Sequence, residues 1–258
     1  MTATDLLLQI GLILTATGAN TLSAFAGGGA GLVQLPALIL MGLPFPVALA
    51  THKLASVALG IGASGRHLQS STLNGPMTAL ILGAGLPGVW LGAQIVLNVP
   101  DRLATSALAI LTLGLGLYSS RRPELGKGMG PTELSIFTGI IGSLGLFAIG
   151  LLNGSLTSGT GLFVTLWLVR WFGLSYTAAV AHTLVLVGLG WNGTGALVLG
   201  INGDIHWSWL PALILGALFG GYLGAHLSLA NGNKRVKQAF EALALLMGVS
   251  LLVRSWLG

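Results

Sequence analysis

Three groups of residues have types and spacings suited to holding a ligand, and each lies inside or beside a strongly apolar run. In "ALATHKLAS", Thr51, His52 and Lys53 fall about two turns into an apolar helix, which at ~1.5 Å per residue is well below its end. No acidic residue occurs between Leu32 and Leu73 to neutralise that lysine. A bound anion would supply the counter-charge; the alternative is a lysine that stretches its stem back to the helix end. In "FAGGGAG", Gly27, Gly28, Gly29 and Ala30 break one apolar run and start another. A helix start presents unpaired N–H groups and a partial positive charge, and glycine lets an anion approach the backbone directly. The alternative is a glycine kink that only lets helices cross. In "NGSLTSGTG", Ser155, Thr157, Ser158, Gly159 and Thr160 form a second break rich in hydroxyl donors. His182 and Thr183 of "AVAHTLV" lie where the first half carries its own polar cluster, whereas Asn20 and Asn192 read as helix-to-helix hydrogen bonds.

Other chemistries find no support. The histidines, His52, His67, His182, His206 and His226, are scattered without the i, i+4 spacing or carboxylates of a hydrolytic zinc site, so no metal is expected. The six acidic residues fall in or beside loops, so the membrane-embedded carboxylate of a cation pump is missing. There is no cysteine, and no serine–histidine or paired-carboxylate arrangement stands out, so no enzyme is expected. The glycines are not set between a strand and a soluble helix, which removes a dinucleotide fingerprint and leaves no cofactor expected. The net charge of +5 falls mainly in short loops, where it reads as a topology signal and not as a nucleic-acid surface.

The elements that must position these residues are membrane helices. Of 258 residues, 53% are hydrophobic and 7% charged, far from the roughly 25% charge of a soluble domain. Runs such as "MTALILGAGLPGVWLGAQIVLNV" approach the ~20 residues that span a bilayer. "MTATD" has no basic segment before its apolar run, so that run is expected to stay in place and not be cleaved as a signal peptide. The two halves match at an offset of about 130 residues, with "GVWLGAQ" over "GGYLGAH". Each half reads as a long run, a polar or glycine break, a short run (Leu32–Leu43 or Leu162–Phe172) and three more helices. The expected fold is therefore an all-α polytopic membrane protein of two inverted repeats, 1–118 and 134–258, joined by a basic cytoplasmic linker, 119–133. Inversion follows because an odd number of crossings per half puts Arg121, Arg122, Lys127, Lys234, Arg235 and Lys237 all on the cytoplasmic side. The parity is the same whether the short runs span or pair with the preceding run as hairpins. Gly88 with Gly92, and Gly216, Gly220 and Gly224, at four-residue spacing, read as close packing within one chain; a homo-oligomer is left open.

"GGGAGLVQLPALILMGLPFPVALATHKLAS" resembles the first-repeat signature of the TauE/SafE family of sulfite and organosulfonate exporters, and "GSLTSGTGLFV" with "AVAHT" resembles the family's weaker second copy. The resemblance covers nearly the whole chain. It departs where many relatives carry Asn in the polar cluster and this chain has His52-Lys53, and where the second break lacks a glycine triplet. It implies a multi-pass inner-membrane transporter exporting sulfite or a small sulfonate, its partners being that anion and the lipid bilayer. An anion channel, or a carrier of sulfate, thiosulfate or a carboxylate, remains the alternative. Gly28→Ala is expected to obstruct the anion while leaving the fold intact.

Overall fold

The computed structural model describes residues 3–67, 73–95, 101–125, 135–156 and 160–257, and every regular element among them is helical. The helices are α1 (Ala3–Ala26), α2 (Ala30–Leu40), α3 (Phe45–His67), α4 (Gly75–Ile95), α5 (Asp101–Ser120), α6 (Ile136–Leu156), α7 (Thr160–Phe172), α8 (Tyr176–Asn202) and α9 (Leu210–Leu257). Six of them, α1, α3, α4, α6, α8 and α9, are long and apolar enough to cross a membrane. Their outward side chains are apolar too, including Leu7, Leu14, Ile140, Leu144 and Phe219. Such a surface is stable against lipid and not against water.

The short helices fold back on the helices that precede them. Gly27, Gly28 and Gly29, with φ of 93°, 133° and 100°, reverse the chain between α1 and α2. All three lie in the left-handed region that side chains with a Cβ disfavour. Asn20 Nδ2 donates to Gln34 Oε1 at 2.9 Å across the hairpin, and Leu12 and Ala16 of α1 share a core with Leu35 and Leu38 of α2. The second half repeats the device with tryptophans. Trp167 Nε1 donates to the Gly142 carbonyl at 3.2 Å and Trp171 Nε1 to the Thr138 carbonyl at 3.0 Å, pinning α7 antiparallel to α6. The two indoles stack with centroids 5.4 Å apart.

Gly232, with φ 71° and ψ 177°, divides α9 into two legs, 210–231 and 233–257. The first leg runs parallel to α1: a Cβ on Gly216, Gly220 or Gly224 would stand 2.4–2.6 Å from the carbonyl oxygens of Ile13, Thr17 and Thr21 respectively. On the other side of the molecule α4 lies along α6 in the same manner, Gly88 and Gly92 abutting the Phe147 and Leu151 carbonyls. The glycine steps are thus intrachain seams. The second leg packs antiparallel to α5, Gly116 against Leu245 and Gly248 against Leu113. At the centre α3 and α8 cross antiparallel, with Gly60 against Gly188 and Lys53 against Gly195.

Basic residues gather at one end. Lys237 Nζ donates to the Arg122 carbonyl at 2.6 Å, Arg170 Nε to the Tyr118 hydroxyl at 2.8 Å and Arg66 Nε to His226 Nδ1 at 3.2 Å. The same end holds a buried junction of Ser119 with Tyr176 (2.6 Å) and with Glu241 (2.9 Å).

Candidate functional site

The tips of the two hairpins meet. Gly28 and Gly161 are in backbone contact, so a Cβ on Gly28 would lie 2.5 Å from the Gly161 carbonyl carbon. Beside that contact is a cavity of about 40 Å³. At ~10–15 Å³ per water it accommodates about three waters or one compact oxyanion. The first hairpin contributes Ser23 and Gly28 through Gly31; the second contributes Asn153, Thr160 and Gly161. α3 adds His52, Ser56 and Leu59, and α8 adds Thr183, Leu184, Val187, Gly188 and Asn192. All these residues are buried except the half-buried Gly161, and none is Asp, Glu, Lys or Arg.

The cavity lies where the two halves face each other. At an offset of about 130 residues, Ser23 corresponds to Asn153, Ala30 to Thr160, Gly31 to Gly161 and His52 to Thr183, and all eight line it. The α8 contribution comes from a π-helical stretch, Thr183–Trp191, and Asn192 at its end. A wide turn of this kind is commonly found at functional sites, since it re-aims side chains at a cost in packing.

Among the described residues, two buried polar atoms on lining residues lack a hydrogen-bond partner, His52 Nδ1 and Asn192 Oδ1. Each such atom in a dry interior costs about 1–3 kcal/mol unless something else meets it. His52 Nε2 is 3.4 Å from Ser56 Oγ.

Of the residues singled out in the sequence, Gly28, Gly29, Ala30, His52, Thr160 and Thr183 come together around the cavity. Thr157, Ser158 and Gly159 lie outside the described residues. Five others are placed elsewhere. The Gly27 carbonyl accepts from Thr165 Oγ1 at 2.6 Å, which ties the first tip to α7. Thr51 Oγ1 accepts from the His206 amide at 2.9 Å. Ser155 turns its hydroxyl back to the Leu151 carbonyl at 2.9 Å, a common choice for serine inside a helix. His182 joins the Ala178 carbonyl (2.8 Å) and the Asn74 amide (2.9 Å), both ring nitrogens being used structurally. Lys53, fully buried, neither snorkels nor lines the cavity: Nζ donates to the Asn153 carbonyl at 2.8 Å and to Asn153 Oδ1 at 3.2 Å. Ser23, Ser56 and Asn153 are not among the residues singled out in the sequence, and Asn192 reads there as a helix-to-helix hydrogen bond. Ser23 and Asn153 hold matching positions in the two repeats, and that correspondence is the signal that could have found them.

The family profile "Sulfite exporter TauE/SafE" matches residues 12–251. The chain is 28% identical over 234 residues to a "Probable membrane transporter protein" of Haemophilus influenzae, covering 91% of this chain and 90% of that one. It is 28% identical to the "Probable membrane transporter protein YfcA" of Escherichia coli (96% and 93% covered) and 23% identical to the "Probable membrane transporter protein YunE" of Bacillus subtilis (96% of each). No solved structure matches. With six apolar helices and relatives named as membrane transporters, it is a multi-pass protein of the inner membrane. A profile match spanning almost every helix, hairpin tips included, makes this chain a member of the TauE/SafE sulfite exporter family.

Proposed function

We propose that the protein is a secondary transporter that exports a small sulfur oxyanion, sulfite in the first place, held between the tips of its two hairpins. One observation carries this: a partly open cavity built from both tips, with two helix starts at its wall, hydroxyl and amide groups around it and no carboxylate among its described lining residues. Helix N-termini and hydroxyls favour an anion, and a volume near 40 Å³ favours a compact one over a taurine-sized sulfonate. The antiparallel crossing of α3 and α8, corresponding helices of the two halves, supports inverted repeats. In that arrangement one half rocks against the other and opens the cavity to each face in turn. The step is binding and movement without covalent chemistry.

The test is a thermal-shift panel of sulfite, sulfate, thiosulfate, taurine and sulfoacetate on purified protein, followed by counterflow in proteoliposomes. Sulfite should raise the melting temperature most; a ligand at a hundred times its Kd contributes about 2.7 kcal/mol to the state it binds. Taurine stabilising the protein more than sulfite would overturn the size argument. Sulfite flux that neither saturates nor shows counterflow would identify a channel.

A further inference from the structure

The C-terminal carbonyls of a helix need donors from outside the helix, and at each hairpin one such carbonyl has a donor in view. In the first, the Ser23 carbonyl accepts from the Gly27 and Gly28 amides at 2.8 Å each. In the second, the carbonyl of Asn153, the residue corresponding to Ser23, accepts from the Lys53 ammonium at 2.8 Å. A lysine from the first half thus stands at the turn of the second, at a helix C-terminus whose dipole favours a cation.

We propose that Lys53 is a positioning residue that acts on the anion through Asn153 and Thr160 and does not itself bind it. This rests on the anion-cavity reading above. Lys53 Nζ lies 3.2 Å from Asn153 Oδ1, which fixes the amide with its oxygen toward the ammonium. Asn153 Nδ2 then donates to Thr160 Oγ1 at 2.9 Å. An asparagine amide can be turned over without changing its shape, and here the lysine selects one orientation. Thr160 opens α7 and lines the cavity, so the ammonium polarises a hydrogen-bonded chain that ends at the cavity wall. Its stem has a slot of its own: a Cβ on Gly195 would stand 2.8 Å from both Lys53 Cδ and Nζ. The chain also links α3 of the first half to the hairpin of the second, across the boundary at which the halves would move.

The experiment is a double-mutant cycle of Lys53→Met and Asn153→Ala, reading sulfite affinity by calorimetry and, on the same four proteins without ligand, the melting temperature. Lys53→Met should weaken sulfite binding about ten-fold alone but no more than about two-fold in the Asn153→Ala background, because the route it acts through is gone. An equal ten-fold loss in both backgrounds would overturn the proposal, since Lys53 would then act on the anion independently. Unchanged binding in Lys53→Met alone would overturn it as well. Should Lys53→Met fail to accumulate, Gly195→Ala, which crowds the lysine stem, replaces it in the same cycle. If the wild type shows no sulfite binding, the sulfite assignment fails separately. The melting temperatures then decide: non-additive losses uphold the Lys53–Asn153 link and additive losses overturn it.

Discussion

Gly28 and Gly161 touch backbone to backbone, the tip of one hairpin against the start of the helix that closes the other. A Cβ on Gly28 would stand 2.5–2.7 Å from three Gly161 and Leu162 main-chain atoms, and one on Gly161 would stand 2.8 Å from Gly28 Cα. Neither side can yield without moving backbone. The glycine at 28 is therefore required by the contact between hairpins, whatever the anion demands.

Gly28→Ala should lower the detergent melting temperature together with transport. This revises the expectation of an intact fold: overpacking typically costs about 1–3 kcal/mol, and the alanine must also hold a φ of 133°. Gly18→Ala is the control, because a Cβ there meets nothing within 4 Å and alanine is the better helix former. A Gly28→Ala protein that melts like the wild type yet binds no sulfite would restore the view that the methyl obstructs only the anion.

Sidedness follows from the Lys237–Arg122 contact, which places the two basic loops at one end. The chain has no cysteine of its own, so single substitutions give clean labels. Arg121→Cys and Lys234→Cys should react with an impermeant maleimide only from the cytoplasmic face, and Trp207→Cys, exposed beside the start of α9, only from outside. Labelling of Arg121→Cys and Lys234→Cys from opposite faces would defeat both the contact and the inverted topology.

His52 and Asn192 carry the unpartnered buried atoms on the cavity wall. If these atoms serve the anion, apolar replacements of similar size should sacrifice binding and not stability. Asn192→Leu and His52→Leu should each reduce sulfite affinity about ten-fold or more while the melting temperature holds or rises. A fall in melting temperature with affinity intact would make Asn192 the helix-to-helix contact that its sequence context suggests.

Much of the architecture could be read from the chain. Low charge and long apolar runs specify membrane helices because lipid accepts no unpaired backbone. The repeat offset locates both breaks, and the glycine steps at 88 and 92 and at 216, 220 and 224 announce close helix seams. The positions of the breaks also singled out Gly28, Gly29, Ala30 and Thr160, four of the sixteen residues that line the cavity, since helix starts follow directly from where a helix is interrupted.

What the sequence left open depends on rotation and on distance through space. Helices that are apolar on every side do not encode which face turns inward, so nothing local told Lys53, aimed at Asn153, from His52, aimed at the cavity. His182 and Thr183 are neighbours in sequence, yet a rotation of one residue sends the first to Asn74 and the second to the cavity. Hairpin and span give the same crossing parity; contacts such as Asn20–Gln34 and Trp167–Gly142 distinguish them. Composition and pattern determined by themselves that this protein is an all-helical membrane bundle, and they suggested a twofold repeat with a break in each half. Tertiary packing alone decided which polar atoms share one small cavity, because that choice is made by backbone contacts between residues more than a hundred positions apart.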